Sequence, residues 1–271
     1  MVMIVVDMPR LTFEPTKEQK KRAYPIAIVK GDDKKFHNRF LYLDPDEHTE
    51  TGALQVEIPM DCRFSVLPST DKDKRNCYYV AGASGSGKSW FAKMIAQNYH
   101  KMYPDRPIYL ISKLEHDDTI DDTDAPIQRI DHKEFVDNPP DINKLSNSLV
   151  IFDDYDVIQG KEGEAVHTLI DDIATMGRKH GDDQGCISML CLTHALTNYK
   201  KTRVLLNECD TIVVYPQNTN AKGLRYLLGT YFGLEKDDIR RLKKMGRYVV
   251  CSNRFPQYLL SGNRCELLHL D

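Results

Sequence analysis

The sequence predicts an α/β fold in which a mostly parallel sheet is flanked by helices. Three apolar runs, at residues 77–81, 149–152 and 186–192, have the length and composition of buried strands. Such runs are typical of parallel strands that are covered on both faces. Between the runs, apolar residues recur at the spacing of amphipathic helices, as in strand–helix–strand crossover units.

The first seventy-five residues have a different pattern. Short runs of strand-forming residues alternate there with aspartate-containing turns, and a charged stretch at 69–75 closes the segment. The predicted strands are Ile26–Gly31, Phe40–Leu43, Ala53–Pro59 and Arg63–Leu67. We therefore expect a small β-rich N-terminal element at 1–75, of open function, and a larger domain at 76–271.

The loop after the first apolar run carries the most specific motif. Residues 82–89 match G-x-x-x-x-G-K-[ST] at every fixed position, between a predicted strand and a predicted helix. Glycines let successive backbone N–H groups point at phosphate oxygens, and the helix N-terminus adds partial positive charge. Lys88 is expected to reach the β- and γ-phosphates, and the Ser89 hydroxyl to bind Mg²⁺. The predicted ATP-binding residues are Gly82, Ala83, Ser84, Gly85, Ser86, Gly87, Lys88, Ser89 and Trp90.

The second chemical element is the apolar run at 149–152, which ends in Asp153 and Asp154. Following a complete P-loop with one strand between, it is typical of a Walker B element. Asp153 is predicted to hold Mg²⁺, directly or through water, and Asp154 to orient and deprotonate the attacking water. Standing alone, such a run is often an ordinary junction between a strand and a turn.

Several further elements complete the predicted domain. Helices are expected at about 88–102, 166–176, 220–232 and 237–244, strands at 107–112 and 210–216, and a closing hairpin at 248–251 and 257–260. The polar stretch at 115–124 lacks periodicity and is predicted to be a surface loop. Thr193, at the end of the third apolar run, is a candidate sensor of the γ-phosphate. His194 could share that role or make a structural hydrogen bond, and Trp90 could stack on the base or pack in the core.

Composition and charge restrict the classes of protein to which the chain can belong. With 271 residues, 41% hydrophobic and 28% charged, the chain has an ordinary globular composition. No apolar run approaches the ~20 residues of a membrane-spanning helix, and the first residues lack the basic region of a signal peptide. Seven scattered cysteines without a C-x-x-C pair predict reduced thiols in a cytosol-like compartment and argue against a zinc site. The net charge of −3 leaves only a local basic patch for nucleic acid.

Five short stretches together resemble the FtsK–HerA branch of P-loop ATPases, in particular the genome-packaging ATPases of poxvirus-like large DNA viruses. They are residues 82–89, 149–154, 176–181, 192–194 and 202–207. The resemblance implies a P-loop NTPase fold of the ASCE or RecA-like type, ATP hydrolysis with Mg²⁺, and a homo-oligomeric ring that drives double-stranded DNA into a capsid. It also implies capsid or portal-vertex partners, and a location in the host cytoplasm, in a virus factory or in the virion.

In that family an arginine of one subunit reaches the γ-phosphate held by the next. Arg178 and Arg203 are both candidates, and a surface salt bridge is the alternative for each. The basic runs at 200–203 and 240–244 are candidate DNA contacts, although such runs are often solvated helix faces or loops. Two other functions stay open: a nucleoside or nucleotide kinase, for which no Arg-rich lid is evident, and a non-catalytic nucleotide-binding assembly factor.

Overall fold

The structure is a computed structural model that describes residues 8–46, 51–178 and 185–268. Its helices are α1 (Lys88–Met102), α2 (Asp118–Asp121), α3 (Gly160–Met176), α4 (Tyr199–Glu208), α5 (Ala221–Phe232) and α6 (Lys236–Leu242). Its strands are β1 (Arg10–Thr12), β2 (Tyr24–Gly31), β3 (Phe40–Asp44), β4 (Gln55–Glu57), β5 (Cys62–Val66), β6 (Cys77–Ala81), β7 (Ile108–Ser112), β8 (Ile127–Arg129), β9 (Leu149–Asp153), β10 (Ser188–Thr193), β11 (Thr211–Val214), β12 (Val249–Ser252), β13 (Tyr258–Leu260) and β14 (Arg264–Leu267).

These strands form two sheets. A four-stranded antiparallel sheet has the order β1-β3-β2-β5, and a ten-stranded sheet has the order β4-β14-β13-β12-β11-β6-β10-β9-β7-β8. In the large sheet the six strands from β11 to β8 are parallel to their neighbours, and β10 lies between β6 and β9. The prediction of an α/β fold with a mostly parallel sheet flanked by helices is therefore confirmed. In chain order two strands, β7 and β8, lie between the P-loop and β9, one more than the sequence indicated.

Both faces of the parallel strands are buried, which explains their continuous apolar sequences. In β6, Cys77, Tyr79 and Ala81 pack into the core on one face, and Tyr78 and Val80 into the core on the other. Helices α3 to α6 cover the first face, whereas α1 and the small sheet cover the second. Because side chains alternate along a strand, a strand covered on both sides needs apolar residues at every position.

The C-terminal strands extend the large sheet in antiparallel fashion beyond β11. The predicted hairpin is present as β12 and β13. A further strand, β14, pairs with β13 and also with β4, a strand of the first seventy-five residues. Hydrogen bonds of the large sheet therefore cross the boundary expected at residue 75, and the division into 1–75 and 76–271 stays a prediction.

The polar stretch at 115–124 is not a loop throughout, so that prediction is wrong in part. Helix α2 lies within it, and the Asp117 side chain caps its first turn by accepting hydrogen bonds from the backbone N–H groups of Thr119 and Ile120. Ile120 is fully buried, and α2 packs against α1. A four-residue helix with one buried side chain has no periodicity that a sequence pattern could detect.

The structure bears on two expectations from composition, those for reduced cysteines and for the lack of a membrane-spanning helix. All seven cysteines are buried and none is in a disulfide. Within the described ranges, every helix is too short or too polar to cross a membrane.

Candidate nucleotide-binding site

The P-loop follows the carboxyl end of β6 and leads directly into α1. Gly85 and Gly87 have φ angles of +70° and +114°, which residues with a side chain rarely adopt. At Gly82 a Cβ atom would lie 2.6 Å from both the Ser86 hydroxyl and the Tyr215 ring, so only glycine allows this close approach. The Ser86 hydroxyl is buried and has no hydrogen-bond partner among the described residues. This glycine-dependent turn at a helix N-terminus is suited to bind phosphate.

Lys88 lies at the centre of this turn and is only 7% exposed. Its Nζ donates a hydrogen bond to the Gly82 carbonyl at 3.1 Å. The same nitrogen lies 3.4 Å from His194 Nδ1 and 3.8 Å from Asp154 Oδ1. The structure thus brings together Lys88 of the P-loop, Asp154 directly after β9 and His194 directly after β10.

The predicted metal ligands lie beside a carboxylate that the sequence analysis did not select. The Ser89 hydroxyl donates to Asp117 Oδ2 at 3.1 Å, and Asp153 Oδ2 accepts from the Ser112 hydroxyl at 2.9 Å. Burial, with smaller contributions from Asp154 and Asp117, raises the pKa of Asp153 to about 6. A buried carboxylate beside other carboxylates is an environment that a bound cation would stabilise.

The donor set suits Mg²⁺. Among the residues that the structure describes, no three His, Cys, Asp or Glu side chains form a metal cage. Mg²⁺ in nucleotide sites is held by one or two carboxylates together with phosphate oxygens and water, rather than by an all-protein cage. Ser89 and Asp153 could supply the protein ligands, and Asp117 could orient Ser89 by accepting the hydrogen bond of its hydroxyl.

Asp154 takes an unusual backbone conformation that turns its side chain toward the loop after β10. Its φ and ψ angles of 47° and 36° lie in the left-handed region, which aspartate tolerates better than most residues. Asp154 Oδ1 lies 3.0 Å from His194 Nε2. The two residues therefore form a carboxylate–imidazole pair directly beside the Lys88 ammonium group.

Thr193 is fully buried, and it does not face Lys88 in the way that His194 does. Its hydroxyl donates to Asp156 Oδ2 at 2.8 Å. The backbone N–H groups of His194 and Ala195 donate to the same oxygen, at 3.1 and 3.2 Å. Asp156 was not selected from the sequence; its position three residues after Asp153 is the only feature that could have indicated it. Thr193 and Asp156 together hold the loop that carries His194.

Trp90 packs against the protein, as in the second of its two predicted roles. Its ring lies 6.1 Å from the Tyr248 ring, between centroids. The Arg63 guanidinium lies 5.3 Å from the Trp90 ring centre, in a cation–π arrangement. The predicted contact of Trp90 with the base stays a prediction.

The two candidate arginines are both exposed, and Arg178 lies away from the P-loop of its own chain. Arg178 is 68% exposed and pairs with Glu208 at 3.1 Å. The preceding Gly177 accepts a backbone hydrogen bond from Ile187, just before β10 begins, so Arg178 lies at the amino ends of the parallel strands. Arg203 is exposed on α4. Residues 179–181 of the resembling stretch at 176–181, and the side chain of Lys200, lie outside the described part of the chain.

The chain is similar to several known proteins. No protein-family model matches the chain. It is 26% identical over 266 residues to "Uncharacterized protein V3" of Sputnik virophage, an alignment that covers 92% of this chain and 97% of that protein. The genome packaging NTPase B204 from Sulfolobus turreted icosahedral virus 2, solved with ATP-gammaS, is 12% identical with a TM-score of 0.43, covering 70% of this chain and 98% of that one.

A second solved structure is similar over more of the chain. The cytoplasmic domain of the type VII secretion ATPase EccC from Thermomonospora curvata is 12% identical with a TM-score of 0.49, covering 92% of this chain and 29% of that one. In this chain itself, the P-loop after β6, the aspartate pair after β9 and the strand β10 between them define the α/β fold of a P-loop NTPase.

Proposed function

We propose that this chain binds ATP with Mg²⁺ and hydrolyses it to drive double-stranded viral DNA into a capsid. One observation carries the hydrolytic part: polar atoms of Lys88, Asp154 and His194 lie within 4 Å of one another at the P-loop. The three residues follow three adjacent parallel strands, β6, β9 and β10. Convergence of a lysine, an acid and an imidazole at a phosphate-binding turn suits phosphoryl transfer to water.

Each of these residues has a distinct task in the proposed reaction. Lys88 exchanges the Gly82 carbonyl for oxygens of the β- and γ-phosphates, and the P-loop N–H groups bind the remaining charge. Ser89 and Asp153 would hold Mg²⁺, whose positive charge would stabilise the negative charge on the transferred phosphoryl group. Asp154 accepts the proton of the attacking water, and His194 holds the Asp154 carboxylate in place.

The ring arrangement is proposed from the positions of the arginines. Strands of five residues are about 16 Å long, so Arg178, at their amino ends, is far from the phosphates of its own chain. An exposed arginine there can serve a nucleotide only if it is the neighbour's, which requires a homo-oligomer. Arg203, exposed on α4, is the second candidate, and each could instead serve only its own salt bridge or surface contact.

Packaging of DNA is proposed from similarity and from charge. The solved structures of B204 carry the name of a genome packaging NTPase, and the basic run at 240–244 supplies cations that could contact phosphates of a duplex. In it, Arg240 and Arg241 pair with Asp237 and Asp238, so DNA would have to compete with these carboxylates. Capsid or portal proteins as partners, and the host cytoplasm, virus factory or virion as location, follow from the same proposal.

Hydrolysis of ATP, measured with and without duplex DNA, tests the proposal. Wild type should release phosphate, the rate should rise with DNA, and Lys88→Ala should reduce it by more than about a hundredfold. Absence of hydrolysis, or intact hydrolysis in Lys88→Ala, would reject it. Transfer of phosphate to an added nucleoside would instead indicate a kinase. Tight ATP binding without turnover would indicate a nucleotide-dependent assembly factor.

Mixing of inactive variants tests the shared site. Lys88→Ala chains cannot use their own nucleotide site, and chains lacking the catalytic arginine cannot serve a neighbour. If Arg178 acts on the neighbour's nucleotide, mixed rings of Arg178→Ala and Lys88→Ala chains regain part of the activity that each lacks alone. The same mixture with Arg203→Ala tests the second candidate. If wild type hydrolyses ATP but neither mixture regains activity, catalysis by Arg178 or Arg203 across subunits is rejected.

A further inference from the structure

Arg247 contacts the P-loop from the side opposite the phosphate-binding N–H groups. Its Nε donates to the Ser86 carbonyl at 3.0 Å, and its Nη2 donates to the Gly85 carbonyl, also at 3.0 Å. The arginine is 161 residues from Ser86 in the sequence. The planar guanidinium thus binds two consecutive carbonyl oxygens of the loop with two of its nitrogens.

The large sheet brings Arg247 to this place. Val214, at the end of β11, pairs with Ala81 at the end of β6 and with Val249 at the start of β12. These three residues form one row across the sheet. The P-loop begins one residue after Ala81, and Arg247 precedes Val249 by two residues. Register in the sheet therefore holds the arginine beside the loop.

The hydrogen bonds from Arg247 restrict the conformational freedom of a glycine-rich loop. Gly85 and Gly87 need positive φ angles to point the N–H groups inward, but glycine also gives the free loop many other conformations. Each peptide plane has its carbonyl opposite its N–H, so fixing the Ser86 carbonyl on one side of the loop turns the Gly87 N–H to the other. Fixing the Gly85 carbonyl likewise fixes the Ser86 N–H, which donates to the Ala83 carbonyl and closes the turn. A cationic donor makes such hydrogen bonds stronger than a neutral one.

We propose that Arg247 is a positioning residue that holds the P-loop in its phosphate-binding conformation before the nucleotide arrives. This inference deepens the proposed function, on whose phosphate site it rests. It links the C-terminal strands to nucleotide affinity: the arginine acts through the backbone of Gly85 and Ser86 and adds positive charge at the rear of the site, without touching the reacting atoms.

Three full-length variants test the role of this arginine. Arg247→Met keeps the aliphatic stem and removes the charge and the donors, whereas Arg247→Lys keeps the charge and loses the two-pronged geometry. Arg225→Met is the matched control, because Arg225 is also exposed and donates to a backbone carbonyl, that of Ala221 in its own helix. Thermal unfolding of each variant verifies that the chain folds.

Two measurements are made on each variant. Hydrogen–deuterium exchange of the peptide covering 82–89, without nucleotide, should be faster in Arg247→Met than in wild type and unchanged in Arg225→Met. Binding of inorganic tripolyphosphate and of ATP should weaken about tenfold in Arg247→Met, with Arg247→Lys between it and wild type. In hydrolysis, KM should rise more than kcat falls, because the arginine organises binding rather than the chemical step.

The outcomes separate this inference from the proposed function. If wild type hydrolyses ATP and Arg247→Met matches Arg225→Met in exchange and in affinity, the role of Arg247 is rejected and the ATPase stands. If wild type neither binds nor hydrolyses ATP, but Arg247→Met still accelerates exchange in the loop, the proposed function is rejected and the positioning role stands.

Discussion

The Asp156 carboxylate accepts a hydrogen bond from the buried Thr193 hydroxyl at 2.8 Å, which joins the end of β10 to the segment after β9. The backbone N–H groups of His194 and Ala195 donate to the same carboxylate oxygen. Three donors on one oxygen fix the direction in which the chain leaves β10. That direction places the His194 ring between Lys88 and Asp154.

Replacing Asp156 by Asn should therefore damage catalysis at a distance from the reacting atoms. The amide keeps the shape but removes the charge that strengthens three hydrogen bonds, so His194 should lose its fixed position. We expect kcat to fall about tenfold or more, with a smaller change in the KM for ATP. Steady-state ATPase kinetics measure this, with the exposed Asp137→Asn as a control. An unchanged kcat in Asp156→Asn would contradict the positioning role.

Replacing Asp117 by Asn should weaken binding of the metal. Asp117 accepts a hydrogen bond from the Ser89 hydroxyl, which leaves the lone pairs of the Ser89 oxygen available to bind a cation. Loss of such a supporting carboxylate commonly costs about tenfold or more in metal affinity. Electron paramagnetic resonance of Mn²⁺ with ATP present measures the affinity without relying on turnover. The neighbouring Asp118, whose side chain is 98% exposed, supplies the control Asp118→Asn, and equal affinity in both variants would argue against Asp117.

The raised pKa of Asp153 predicts how stability depends on pH in the metal-free protein. The folded chain binds this proton more tightly than the unfolded chain, because burial raises the pKa to about 6. The free energy of unfolding should therefore fall by roughly 3 kcal/mol as pH rises from about 4 to above about 6. In chelator, Asp153→Asn should have a higher Tm than wild type at about pH 8 and no such advantage at about pH 4. Equal Tm values at about pH 8 would contradict this.

Trp90→Phe separates packing from base stacking. Trp90 is the only tryptophan and it contacts Tyr248 and Arg63. If it only packs, Trp90→Phe should lower the Tm by a few degrees, as expected for a loss of about 1 kcal/mol, and leave the Kd for ATP within about twofold. Differential scanning calorimetry and isothermal titration measure the two effects. A large loss of ATP affinity at constant Tm would instead indicate stacking on the base.

Much of the site could be predicted from local sequence. The P-loop is contiguous, and its predicted phosphate contacts come mainly from backbone N–H groups. Gly82 to Ser89 could therefore be proposed without knowing the rest of the fold. The apolar runs identified the buried strands for a similar reason, because a parallel strand covered on both faces needs apolar side chains along its whole length. The predicted β12–β13 hairpin was also correct.

Other parts required the tertiary structure. Three sets of contacts join residues that are far apart in sequence or follow different strands. They are the hydrogen bond of Ser89 to Asp117, the three hydrogen bonds to Asp156, and the hydrogen bonds of Arg247 to the P-loop carbonyls. Arg178 was proposed from a motif, but only the strand directions revealed that it lies at the opposite end of the sheet from the P-loop. Strand order and register decide which of these distant residues come into contact. Both depend on long-range strand pairing that no local sequence pattern encodes.

The sequence alone determined that this chain carries a glycine-rich backbone loop of the kind that forms a phosphate cradle, and an aspartate pair at a strand end. Those features depend on glycine conformation and on residues adjacent along the chain. The tertiary structure decided which side chains surround the cradle, because a carboxylate or a guanidinium acts on the site only if the fold brings it within hydrogen-bond distance.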